Sequence, residues 1–204
     1  MAIYFFTKLF IPGACDMSNN IVFSKITNID IPITVKPKRY EDSIIGKMVE
    51  YDIYDGRKMI GYGRILDKDY GCYVPLIQSY QPDSYGKLGS LFDKLEVQYC
   101  LEKGMNDFEI RSFGAMNSHA IHYLRGKRFE GEATPQQIKR FRELFKWARL
   151  KSFDYNTIVK YIIDHTPKDE RFNTKFLSNI PMYMPKELIQ KYAAELLKNP
   201  IIIK

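Results

Sequence analysis

The chain has 204 residues, of which 45% are hydrophobic and 27% charged, and it carries a formal net charge of +7 with a pI near 9.1. That is enough chain for one well-buried α/β domain with a small appendage, and the apolar content excludes a disordered polymer. The positive charge favours an anionic partner, whether nucleic acid, a membrane surface or a polyphosphate cofactor, without choosing among them.

The chain opens MAIYFFTKLFIPGACDMS. This run lacks a basic start and is interrupted by Lys8, so alternation of Ile3, Phe5, Thr7 and Leu9 with Tyr4, Phe6 and Lys8 predicts a buried strand rather than a signal peptide. From 20 to 47 the chain is rich in Ile, Val, Thr and Pro, and Pro32 and Pro37 predict extended chain instead of a long helix. Two alternating runs, about 48–54 and 57–66, flank Asp55-Gly56, a dipeptide suited to a tight hairpin. A third strand is expected at about 72–80, where Pro75 implies an edge, a bulge or a splayed position. From Leu88 the period changes to three and four residues through Leu91, Phe92, Leu95 and Tyr99, predicting a helix that ends near Gly104. A strand at 107–113 and a short helix at 118–125 follow. In the tail, Thr134-Pro135 predicts a capped helix start whose apolar stripe, Ile138, Phe141, Phe145 and Ala148, continues to about residue 150. Further helices are expected at about 155–164 and 186–198. The apolar runs are too short to cross a membrane, which takes roughly 20 residues. Three cysteines, Cys15, Cys72 and Cys100, without Cys-x-x-Cys spacing, point to neither a disulfide framework nor a zinc cluster and suit a reducing, cytoplasmic setting.

The segment QPDSYGKLGSLFDKL is where chemistry enters. Gly86 and Gly89 flank Lys87 and Leu88 and feed into a helix N-terminus, and such a turn lets backbone amides and the helix dipole hold a pyrophosphate. A helix-initiating turn with no ligand has the same appearance. Read with its neighbours, the segment resembles the coenzyme A-binding turn of the GNAT N-acyltransferases. Pro82, Gly86, Lys87, Gly89, the helix and Gly104 are similar to that family's Arg/Gln-x-x-Gly-x-Gly/Ala unit. Further on, NSHAIHYLRGKRF matches its second signature at Asn117, Ala120, Ile121 and Phe129. The resemblance spans residues 48 to 129.

It implies a mixed, splayed α/β (α+β) sheet flanked by helices, with acetyl-CoA or another acyl-CoA held where the fourth and fifth strands part. The cofactor-binding residues it implies are Ile77 and Ser79 on the fourth strand, Tyr85, Gly86, Lys87, Leu88, Gly89 and Ser90 at the turn, and Asn117 at the start of the fourth helix. Aligning from Pro82 puts Tyr85 at the Arg/Gln position, with Leu88 and Ser90 at the glycines. Aligning from the helix puts Gly86 and Leu88 there. Leu88 stands where the family prefers a small residue in either register. The family's leaving-group tyrosine position holds Leu124, with Tyr123 one residue earlier. Glu50 is the carboxylate among Glu50, Tyr73 and Gln78, which border the acceptor side in such folds. These imply N-acyl transfer to an amine-bearing acceptor, small molecule or protein, with Tyr123 and Glu50 as candidate catalytic groups.

His119 and His122 share a helix face without a third ligand at suitable spacing, so they are read as surface or cleft histidines and no metal is expected. The resemblance omits the acceptor side: an extended stretch stands where the family has two helices, and the family's last hairpin is hard to find after residue 129. The expected division is a GNAT-like domain at 1–132 and a helical extension at 133–204. The basic helix 135–151, with Lys139, Arg140, Arg142, Lys146, Arg149 and Lys151 around Phe141, Phe145 and Trp147, offers a second possibility, nucleic-acid binding. A GNAT-like fold without catalysis, serving as a binding or structural module, is the third.

Overall fold

The hairpin forms about its Asp-Gly dipeptide. In the computed structural model, which describes residues 33–42, 46–80, 88–114, 118–167 and 175–201, β1 (Ile33–Asp42), β2 (Gly46–Asp55), β3 (Lys58–Lys68) and β4 (Gly71–Ser79) are consecutive antiparallel neighbours. The expected N-terminal strand and the positions of Pro32, Tyr85, Gly86, Lys87 and Asn117 lie outside the described residues. Pro37 sits on the outermost described strand, β1, opposite Tyr51, where a missing N–H costs least. Pro75 falls in a bulge: the pairing passes from Arg64 with Leu76 to Leu66 with Tyr73, so Val74 and Pro75 together face Ile65. The proline thus occupies the residue that the ladder leaves out.

Chain contacts divide the molecule into two compact units, one of residues 1–110 with 189–204 and one of 111–188. The first is built on β1 to β4 and on α1 (Leu88–Glu102). Val49, Tyr51 and Ile53 on β2 pair with Ile65, Gly63 and Gly61 on β3, and directly opposed residues share a face. That face meets α1. A Cβ on Gly63 would lie 2.5 Å from the Phe92 ring, so only glycine admits the helix at this depth. β5 (Glu109–Gly114) starts beside the start of β4: the Glu109 N–H donates to the Tyr70 carbonyl at 2.9 Å, and a Cβ on Gly71 would lie 2.1 Å from the Glu109 carbonyl oxygen.

The helix α1 is buried around its whole circumference, Asp93, Lys94, Glu96 and Gln98 included. The chain's C-terminal part covers its polar side. From α5 (Lys186–Lys198), Glu195 pairs with Lys94 at 2.7 Å, and the Gln98 amide both donates to the Ile201 carbonyl (2.7 Å) and accepts from its N–H (3.0 Å). A residue with only the sequence's three-and-four spacing would have been given a solvated face there; the second helix removes it.

In the second unit the order is β5-β7-β6, with β6 (Arg128–Phe129) and β7 (Ile180–Tyr183) antiparallel. As expected, no tight hairpin follows residue 129: α3 (Pro135–Leu144) and α4 (Tyr155–His165) stand between the two strands, and the pairing of β6 with β7 was not foreseen. With α2 (His119–Leu124), these helices bury one core containing Ala120, Phe129, Phe141, Ile158, Ile162 and Met182. α3 opens with the expected cap, Thr134 and Gln137 exchanging side-chain and backbone bonds. It stops at Leu144, not near 150. At 1.5 Å per residue, continuing would carry the chain away from Phe141, on which Phe153 must close edge to face at 6.3 Å. Phe145 leaves the helical region (φ −122°, ψ 66°), and Ala148 bonds back to its carbonyl to make the turn. Asp154 then caps α4 by accepting from the Thr157 N–H at 2.9 Å.

Candidate functional site

Cofactor candidates in the first unit gather at the end of β4 and the first turn of α1. Ile77 and Ser79 pair in register with Gly63 and Gly61, and Ile77 is half-buried on the α1 face of the ladder. Leu88, Gly89 and Ser90 form the first turn of α1, the end at which a helix directs its backbone N–H groups outward. No acidic side chain occupies that turn, which leaves the positive end of the helix dipole uncompensated by its own sequence. Leu88 is 1% exposed. Its side chain belongs to the core, which leaves only its backbone for any ligand.

The opposite face of the same ladder is polar. Glu50 and Arg64 are directly opposed and joined at 2.7 Å. Asp52, one step along β2 on the same face, is buried, and Tyr54 approaches it at 3.5 Å. Tyr62, opposed to Asp52 and to Gln78, lies 5.8 Å from the Tyr80 ring. Lys36 sits 4.9 Å from the Tyr54 ring centroid and Arg64 5.8 Å from that of Tyr62. Desolvation, then Tyr62, Asp52 and Glu50, raise the Tyr80 hydroxyl above its ordinary value. Tyr73 is raised as well, by burial and then by Tyr70. Glu50 was legible in the sequence because it is a carboxylate on a predicted strand. Asp52, Tyr54, Tyr62 and Tyr80 were passed over, although the i, i+2, i+4 spacing of Glu50, Asp52 and Tyr54 already marks one face.

In the second unit, Tyr123 lies on α2, half-buried against the core, with the Arg128 guanidinium 4.5 Å from its ring centroid. Leu124, at the position the resemblance gives to the leaving-group tyrosine, is 62% exposed. His119 is not a surface or cleft residue. It is fully buried, 5.6 Å from the Phe129 ring, and it lies so close to Gly114 that a Cβ there would meet its ring at 2.9 Å. Burial lowers its pKa to about 4, against a smaller opposing effect of a backbone hydrogen bond at Gly114. His122 is half-buried. Among the described residues no three metal-ligating side chains cluster, and no helix is long and apolar enough to cross a membrane.

No protein-family model matches the chain, and no curated protein matches it. Among solved structures it is similar to an acyl-CoA N-acyltransferase from Pseudomonas aeruginosa, at 12% identity over 70% of this chain and 71% of that one, with a TM-score of 0.39. Two chimeras of spermidine N-acetyltransferase from Vibrio cholerae and hSSAT are comparable. One is 16% identical over 72% of this chain and 70% of the other (TM-score 0.39), and the second 17% over 72% and 69% (TM-score 0.38). A likeness this loose leaves the site to be read from this chain's own residues.

Proposed function

We propose that the chain is an acyl-CoA-dependent N-acyltransferase. One observation carries the reading: an antiparallel β2-β3-β4 ladder runs through a glycine-bearing segment into the buried helix α1, and β5 then starts at the start of β4. This is the element order that the GNAT resemblance implies. In it, the first-turn amides of α1 at Leu88, Gly89 and Ser90 hold the cofactor's pyrophosphate together with the turn at Tyr85, Gly86 and Lys87, β4 at Ile77 and Ser79 lines the pantetheine arm, and Asn117 approaches the cofactor. The donor is acetyl-CoA or a longer acyl-CoA, and the acceptor is an amine. Glu50, already paired with Arg64, serves as an electrostatic anchor on the acceptor side more readily than as a free base. The cytoplasmic setting suggested by the cysteines belongs to the same reading.

The exposed Leu124 favours a second reading, a GNAT-like fold that binds without transferring. Both are tested by thermal unfolding with acyl-CoAs of increasing chain length and by release of free CoA thiol in the presence of an amine panel. A ligand at 100 times its Kd stabilises by about 2.7 kcal/mol, a rise of about 5–10 °C for a chain this size. The expected outcome is such a shift, abolished in Gly86→Phe, with thiol release for at least one amine. A shift without thiol release from any amine favours the second reading, and no shift at millimolar acyl-CoA sinks both.

A further inference from the structure

The connection between α3 and α4 carries the chain's single tryptophan, Trp147, at 92% exposure. The aromatic residue two positions before it behaves differently. Phe145 is half-buried within a ladder of rings, 5.0 Å from Phe141 and 5.7 Å from Tyr161, and Tyr161 in turn stacks on His165 at 3.9 Å. The turn is therefore pinned to the core from beneath, and the early stop of α3 at Leu144 leaves Trp147 outward on a fixed base.

Cations surround it. From 135 to 151 the chain holds six of them and one carboxylate, Glu143. Arg140 is paired with Glu143 at 2.9 Å, and Arg142 lies over the Phe153 ring at 5.0 Å. Lys139, Lys146, Arg149 and Lys151 are exposed, and among the described residues none has an acidic partner. Lys139, Arg142 and Lys146 also line a groove of about 560 Å³ together with Ile138 and Phe153, and Lys139 borders a second groove of about 530 Å³ that Arg140, Lys175 and Phe176 help to line.

We propose that this surface binds single-stranded nucleic acid, with Trp147 stacking on a base and Lys139, Lys146, Arg149 and Lys151 contacting phosphates. Charge complementarity calls for a polyanion, and the exposed indole distinguishes which kind, because flat bases stack on it while bare phosphates or sulfates do not. A duplex hides the faces of its bases within its own stack, so a single strand fits better.

Trp147 is its own reporter. Titration of the full chain with an oligothymidylate of about 15 nucleotides is expected to quench its fluorescence, and log K should fall with log salt at a slope of about −3, near 0.7 for each of the four cations. Measured by anisotropy of a labelled oligonucleotide, Trp147→Ala should weaken binding about tenfold. Lys146→Gln with Arg149→Gln should reduce the salt slope by about 1.4. Near-ultraviolet circular dichroism establishes that these variants, all at exposed positions, keep the native core. The proposal is overturned by an absence of quenching at low salt, by inorganic polyphosphate binding as tightly as the oligonucleotide, by tighter binding to duplex, or by a blue shift on phosphatidylserine vesicles without a response to oligonucleotides.

Discussion

At the scale of single residues, His119 ties stability to pH. Its pKa in the folded chain is lowered to about 4 from the ordinary 6.5, chiefly by burial. Above 6.5 neither state carries the proton and His119 contributes its full stability. As pH falls below 6.5 the unfolded chain takes up a proton that the folded one refuses, and stability declines until pH 4, by about 3 kcal/mol in all. Urea midpoints taken from pH 7 to 4 should therefore fall more steeply for the wild type than for His119→Gln; equal slopes would show that another group dominates. This burial was not legible in the sequence, where two histidines three residues apart on a polar-looking helix start suggested the surface. The information lies in Gly114, whose missing side chain makes room for the ring. By contrast Glu50 does lie on a strand, as its alternating neighbours implied, and its partner Arg64 could be known only once the hairpin register was.

Between elements, fit is set by glycines that admit a neighbour. Gly63→Ala drives a methyl into the Phe92 ring, with an expected cost of about 1–3 kcal/mol. Adding Phe92→Leu should recover part of that loss, so the double mutant should be more stable than the sum of the singles; strict additivity in urea denaturation would mean that the contact does not limit the packing of α1. Gly71 has φ of +148° and the Glu109 backbone against it, so Gly71→Ala should cost about 2–3 kcal/mol and loosen the start of β5. Hairpin, helix and strand were legible here because each has its own period. The end of α3 was not, because the stripe Ile138, Phe141, Phe145 and Ala148 continues past the point where Phe153 must return. β7 was missed for a different reason: four residues between Asn179 and Met184 are too few for alternation to register, and their partners lie far away in sequence.

Across the whole molecule, the C-terminal part is not an appendage to its own neighbours in sequence. Residues 189–204 belong to the first unit, where Gln98 supplies Ile201 with both a donor and an acceptor. Gln98→Ala leaves that backbone pair buried and unmet, a loss of about 1–3 kcal/mol that urea denaturation would register, whereas an unchanged midpoint would mean that water takes over both bonds.

The interrupted pair β6 and β7 also bears on the order in which the second unit assembles. Closing a gap of about 50 residues costs about 2 kcal/mol more entropy than closing a four-residue turn, so β7 is poorly placed to arrive first. Asn156, on α4, holds the Phe129 backbone by both its N–H and its carbonyl, at 2.9 and 2.7 Å. Because the bonds to β7 fall at its neighbours, Glu130 donating to Pro181, the amide occupies the edge of β6 away from β7, where it can hold β6 before β7 arrives and divide one long search into two shorter ones. Early docking of α4 would then be kinetic scaffolding for β6, and Asn156→Ala should slow refolding as well as weaken the native state.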